Sequence, residues 1–249
     1  MESKPALTAN PPLLLEVCVT SSEDAVAAYS AGADRLELTI GIELGGLTPS
    51  LALLEQVKRA VAIPVVAMLR PRAAGFRYTS SERCGMMRDA ELLLAAGADG
   101  IVAGVLREDG AVDLEFWRQL KKLTRDRQLV FHRAIDVVPD PSAVLRQLID
   151  TGTTRVLTSG GRQTAWQGRQ QIAQMQRLAA GQIEILAGSG VSPRNAVALI
   201  QATGCRQLHG TFADVRHDPA GCVAEARYGV TDPRQVAATR RALDDLSNA

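Results

Sequence analysis

A single closed (β/α)8 barrel, the TIM-barrel form of the α/β class, is the architecture this sequence predicts. Three observations predict it. Eight short apolar runs rich in β-branched residues alternate with eight helix-like stretches, and alternating βα units imply a parallel sheet. The chain has 249 residues, a length that one such barrel commonly fills. Gly32, Gly97, Gly152 and Gly204 each close a helix-like stretch just before an even-numbered strand, a weak internal repeat of about two βα units. A doubly wound open sheet is the competing architecture. It would want a Gly-rich fingerprint after the first strand, and Glu16-Val17-Cys18 is unlike one.

The elements follow in order. Residues 1–12, polar and Pro-containing, read as a flexible tail, with the barrel domain over 13–249. LLLEVCV (13–19) is the first strand, and Ser21-Ser22-Glu23-Asp24 puts hydroxyl and acidic groups where a helix begins. DRLELT (34–39) is the second strand, and Pro49 suits the first turn of the helix after it. IPVVAMLR (63–70) is the third, followed by a long polar loop and a helix around GMMRDAELLLAA. GIVAGVL (100–106), QLVFHRA (128–134), TRVLTSG (154–160), IEILAGSG (183–190) and RQLHGT (206–211) complete the strands. DLEFWRQLKKLT, PSAVLRQLID, the Gln-rich run 163–180 and PRNAVALIQAT are the helices between them. Residues 212–232 read as a loop and 233–247 as the last helix.

Composition excludes several function classes. A formal net charge of +1 and 4% aromatic residues predict neither a nucleic-acid nor a membrane surface. The run LLLEVCV is broken by Glu16 and is too short for a signal sequence or a membrane span. The four cysteines, Cys18, Cys84, Cys205 and Cys222, have no CxxC or metal-finger spacing. Reduced thiols in a cytoplasmic protein are therefore expected. A dimer or higher oligomer is compatible with such a barrel.

In a barrel of this kind the functional groups sit at the C-terminal ends of the strands. Strand side chains alternate, so Glu16 and Cys18 share the inner face of the first strand, and Arg35, Glu37 and Thr39 that of the second. Arg70 ends the third strand with Arg72 just beyond. His132 ends the fifth, with Arg133 and Asp136 following. Ser159 ends the sixth and His209 the eighth. Two carboxylates, several arginines and two histidines thus converge on one mouth. The arginines favour a small anionic ligand, because a guanidinium forks onto such groups. Glu37 and Arg70 come from adjacent strands and are expected to pair across an open, hydrated mouth. Gly188 and Gly190 in AGSGV, and the SGG turn at 159–161, offer backbone N–H groups to an anion. Cys18 is the one thiol expected at this end; beside His209 it makes a soft two-ligand site for Cu(I). Cys205 belongs at the opposite end.

LLLEVCV, GADRLEL, GGLTPS (45–50), RPR (70–72), FHRAID (131–136) and RVLTSG (155–160) together resemble the CutC family of copper homeostasis proteins. The resemblance runs from about residue 13 to about residue 210, in order. It implies a TIM barrel and a cytoplasmic protein linked to copper tolerance, with Cu(I) as ligand. This chain departs from the family pattern at Thr39, where a cysteine is common, at Gly75 and at Gln207. Half of the family's candidate thiol pair is therefore absent, and copper is expected to bind weakly and through Cys18. The residues themselves also admit a barrel enzyme of lyase, isomerase or hydrolase type acting on a small anionic or phosphorylated metabolite. In that case Glu16 or Glu37 is the general base, His132 or His209 its acid partner, and Asp136 belongs to the same set. Arg70, Arg72 and Arg133 would then hold the anion, with Ser159, Gly188 and Gly190.

Overall fold

The computed structural model describes residues 12–221 and 226–248. The tail reading, Pro12 apart, and the position of Cys222 lie outside the described residues. Eight parallel strands close into a barrel in sequence order, β1 (Leu14–Val19), β2 (Arg35–Leu38), β3 (Val65–Met68), β4 (Gly100–Ala103), β5 (Gln128–Phe131), β6 (Arg155–Thr158), β7 (Glu184–Gly188) and β8 (Gln207–Gly210). Closure is made by β1 against β8, in a register that sets Glu16 beside His209. Helices α1 (Ser22–Ser30), α2 (Leu51–Ala60), α3 (Ser80–Ala95), α4 (Leu114–Thr124), α5 (Pro141–Asp150), α6 (Arg169–Ala179), α7 (Ala196–Thr203) and α8 (Pro233–Ser247) complete the βα units.

Local chemistry sets the helix starts. Ser21 accepts a hydrogen bond from the Asp24 N–H and opens α1. Thr79 and Glu82 cap each other reciprocally at the start of α3, which begins well before GMMRD. Ser50 caps α2, which starts at Leu51, so Pro49 precedes the helix and does not stand in its first turn. Two of the expected helices start late. Residues 163–168 form a turn before α6, and α7 begins at Ala196, after a loop over 189–195. The 212–232 segment is not all loop: β9 (Ala213–His217) and β10 (Arg227–Thr231) pair as an antiparallel ribbon. Its strands lack the alternating apolar pattern because the ribbon is largely exposed.

Strand alternation sorts the core into two regions. Leu15, Val17, Leu36, Leu38, Ile101 and Phe131 face outward and pack under the helices. Trp117 of α4 meets Phe131 edge-on at 5.0 Å and donates its indole N–H to the Thr153 hydroxyl at 2.7 Å, so this large buried ring has no unmet donor. The inner face is divided. Val66, Met68, Val102 and Val130 fill the β3–β5 side with apolar atoms. The opposite side is charged. Arg35 donates to Glu16 and, at 2.8 Å, to Gln207. Arg155 donates to the same Gln207 oxygen at 2.9 Å and to Gln128 at 2.9 Å, and it pairs with Glu184 at 2.5 Å. A polar plug of this kind holds only if every charge has a partner, because a buried lone charge is costly.

Glu16 is the carboxylate that Arg35 faces. Glu16→Gln therefore leaves a buried guanidinium without its counter-charge, and the expected loss of stability is on the order of 3–5 kcal/mol. A urea melt should show this as a lower midpoint at unchanged slope.

Candidate functional site

At the C-terminal end of the strands lies a cavity of about 340 Å³ lined by Cys18, Glu37, Met68, Arg70, His132 and His209, among others. Cys18 and Glu37 are register partners on β1 and β2. A sulfur, a carboxylate oxygen and a ring nitrogen from Cys18, Glu37 and His209 all lie within 4.8 Å of one another. His209 stands between two carboxylates. Its Nδ1 is 2.8 Å from Glu16 Oε1, and its Nε2 is 4.0 Å from Glu37 Oε1.

The titrations follow from this placement. Burial alone would raise the Glu16 carboxyl, but the Arg35 charge and the hydrogen bond to His209 hold it well below the usual carboxylate range. Burial works against the His209 imidazolium, yet the charges of Glu37 and Glu16 prevail and raise its pKa. Glu37 is raised by burial, with the His209 charge only partly offsetting it, and its Oε2 has no hydrogen-bond partner. Burial, and then the Glu37 charge, push the Cys18 thiol well above 9.0. His132 goes the other way. Burial and the nearby Arg70 charge lower it to about 3, so its ring is neutral.

Two glycines make room for the rings. A methyl at Gly104 would lie 2.4 Å from His132 Cε1. One at Gly188 would lie 2.6 Å from Leu157 Cδ1 and 3.3 Å from His209 Cδ2. Gly188 thus acts through its lack of a side chain; Gly190, at φ +72°, borders the cavity itself. The AGSGV segment does not run straight into a helix. Ser189 donates to the Gln163 carbonyl and Asn195 to that of Gly190, and α7 starts only after them. The Gly-rich turn is therefore separated from the start of α7 by residues 191–195.

Several expected groupings are not formed. Arg70 does not pair with Glu37. Its Nη1 donates to the carbonyls of Leu44 and Gly46, both at 2.9 Å, and its Nη2 to that of Ala74 at 2.7 Å. Nor is the Glu37 end of the mouth open, since Glu37 is 3% exposed. Arg72 turns away to Glu82 at 2.5 Å and borders a separate outer groove. The SGG turn already holds an anion, and that anion is Asp136. This carboxylate accepts from the Ser159 N–H, the Ser159 hydroxyl, the Thr158 hydroxyl, the Gly161 N–H and Arg133 Nε. Asp136 and Ser159 therefore lock the end of β6 instead of lining the cavity, while Arg133, tied to both, still borders it. The Thr39 hydroxyl donates to the Leu47 carbonyl at 2.9 Å, tethering the loop after β2. Cys205 is buried at the start of β8, away from the mouth. Sequence reasoning missed Met68 and Phe76. Met68 was findable, since it lies in phase with Arg70 on β3. Phe76 comes from a loop and gives no periodic signal.

The fold and this cluster define a class: a (β/α)8-barrel protein with a buried thiol, carboxylate and imidazole at the C-terminal mouth of the barrel. Residues 13–214 match the CutC family, and the chain belongs to it. It is 49% identical over 206 residues to a CutC family protein of Treponema denticola, covering 83% of this chain and 84% of the relative. It is 42% identical over 203 residues to the human copper homeostasis protein cutC homolog, covering 82% and 74%. The crystal structure of CutC from Streptococcus agalactiae superposes with a TM-score of 0.77 at 32% identity, over 80% of this chain and 98% of that one.

The His209 placement can be read directly. Glu37→Gln removes one of the two charges that favour the imidazolium, so the His209 pKa should fall. An imidazole proton NMR titration of both proteins checks this, and an unmoved midpoint would separate Glu37 from His209.

Proposed function

We propose that this chain handles Cu(I) at the mouth of its barrel, with Cys18, Glu37 and His209 as the donor set. The observation that carries the reading is the convergence of these three side chains on one cavity. The donor chemistry fits in part. Cys18 is the soft ligand that Cu(I) prefers, and the Met68 thioether lines the same cavity. The Glu16 carboxylate on His209 Nδ1 fixes the ring so that Nε2 faces the other donors, the outer-shell arrangement common around metal-bound histidines. One thiol among harder donors suits transient exchange better than sequestration. The names of the relatives, copper homeostasis proteins, support the same assignment. A cytoplasmic setting, where Cys18 stays reduced, belongs to this reading. No helix among the described residues is long and apolar enough to cross a membrane.

A second reading is favoured by one observation, the Glu16–His209–Glu37 chain. An imidazole hydrogen-bonded to one buried carboxylate at 2.8 Å and facing a second at 4.0 Å suits acid–base chemistry on a small anionic metabolite, with Glu37 as base and His209 as acid. Cu(I) and such a substrate would compete for the same groups.

Two measurements test the copper reading. In competition against a Cu(I) chelator, Cys18→Ser should weaken binding at least about tenfold; undiminished affinity would move the site elsewhere. Binding should also tighten as pH rises. The Cys18 pKa lies well above 9.0, so at neutral pH the thiol carries a proton that the ion must displace, and the raised His209 pKa acts in the same direction. Each displaced proton contributes up to about tenfold in affinity per pH unit. A flat profile between pH 6 and 8 would exclude the thiol as donor.

A further inference from the structure

Two buried donors on the β3–β5 wall of the cavity belong to neither the copper donor set nor the Glu16–His209–Glu37 chain. The first is His132. The Ala134 N–H donates to its Nδ1 at 3.2 Å, so that nitrogen is bare and the neutral ring carries its hydrogen on Nε2. His132 is 3% exposed, and Nε2 has no hydrogen-bond partner. The second is Arg70, 4% exposed, whose Nη atoms are all aimed at backbone carbonyls. Carbonyls satisfy hydrogens but do not neutralise charge. Among the described residues no carboxylate stands within ion-pair distance of Arg70, and its Nε is buried without a partner. Both side chains flank Phe76. The His132 ring centroid is 4.8 Å from that of Phe76, and the Arg70 guanidinium carbon is 5.4 Å from it.

The other buried charges here are matched. Glu16 faces Arg35, Glu37 faces His209, and Arg155 faces Glu184. Arg70 is left over as a buried cation lining a cavity. A buried charge demands a counter-charge, and one on the cavity wall can receive it from a ligand. We propose that His132 Nε2–H and Arg70 Nε–H form a binding site for the carboxylate of a small organic acid. One cation and one neutral donor match a monoanion with two acceptor oxygens. A dianionic phosphate would bring a second charge that this wall does not balance. Met68, Phe76, Leu157 and Val191 give the rest of the ligand an apolar surround, in a volume suited to a short carbon skeleton. The low pKa of His132, about 3, keeps the ring a neutral donor at physiological pH. The assignment concerns binding alone and rests on neither the copper reading nor the acid–base reading.

Ligand-observed NMR titration of the full chain with acetate, lactate and pyruvate, and in parallel with inorganic phosphate, tests it. Saturable binding of at least one carboxylate is expected, with phosphate at least tenfold weaker. His132→Leu removes the donor. Gly104→Ala keeps the donor but drives a methyl into its ring, 2.4 Å from Cε1. Each should weaken carboxylate binding at least tenfold in a protein that still melts cooperatively. No saturable carboxylate binding by the wild-type protein overturns the proposal. So does tighter binding of phosphate, and so does carboxylate affinity unchanged in either folded variant. The wild-type comparison decides the matter even where a variant fails to fold.

Discussion

The Glu16 carboxylate is buried at the seam where β1 closes the barrel against β8, and most of the interior is arranged around satisfying it. Arg35 comes to it from β2 and His209 from β8, so one anion ties three strands across the closure. Arg35 in turn needs Gln207, Gln207 holds Arg155, and Arg155 reaches Glu184 on β7. A buried charge without a partner would cost more than most single apolar contacts contribute. The network is therefore continuous or the barrel does not close in this register.

The same constraint shapes the mouth. Because Glu16 fixes Nδ1 of His209, the other ring nitrogen faces Glu37 and Cys18. The structural plug and the candidate site are thus not separate layers; the upper edge of one is the lower wall of the other. On the opposite side the interior is apolar, from Val66 through Met68 to Val130. That asymmetry leaves the cavity with one polar wall rich in exchangeable protons and one wall bearing two isolated donors. Gly104 and Gly188 complete the shape by leaving space for His132, Leu157 and His209.

Much of the site was legible in the sequence because strand alternation is strict. Glu16, Cys18 and Glu37 were expected inside the mouth by parity, and Arg70, His132 and His209 because they end their strands; all but Glu16, which lies just beneath it, line the cavity. What parity could not give was who pairs with whom. Glu37 and Arg70 sit on adjacent strands, yet the long guanidinium finds the carbonyls of Leu44, Gly46 and Ala74. The Ala74 carbonyl belongs to the loop that follows Arg70, but the loop carrying Leu44 and Gly46 is brought to it only by the fold. Asp136 read as a mouth carboxylate because it follows His132 closely. A short 3-10 segment, Arg133–Val137, instead turns it onto the SGG backbone, and so the anion cradle expected there is filled by the protein itself.

By itself the sequence determined the order of the elements, the barrel class and the inward set of residues. These depend on local geometry: a strand repeats every two residues, helices start at residues able to cap them, and both rules act within a few positions of the chain. The tertiary structure alone decided the β9–β10 ribbon, the late start of α7, the diversion of Arg72 to Glu82 and the convergence of Cys18, Glu37 and His209 on the cavity that Arg70 and His132 also line. The contacts that decide them range from Arg72–Glu82, ten residues apart, to pairs drawn from opposite ends of the chain. Glu16 and His209 stand 193 residues apart, and only the register of a closed sheet, set by the summed packing of eight strands, brings such groups within reach of one another.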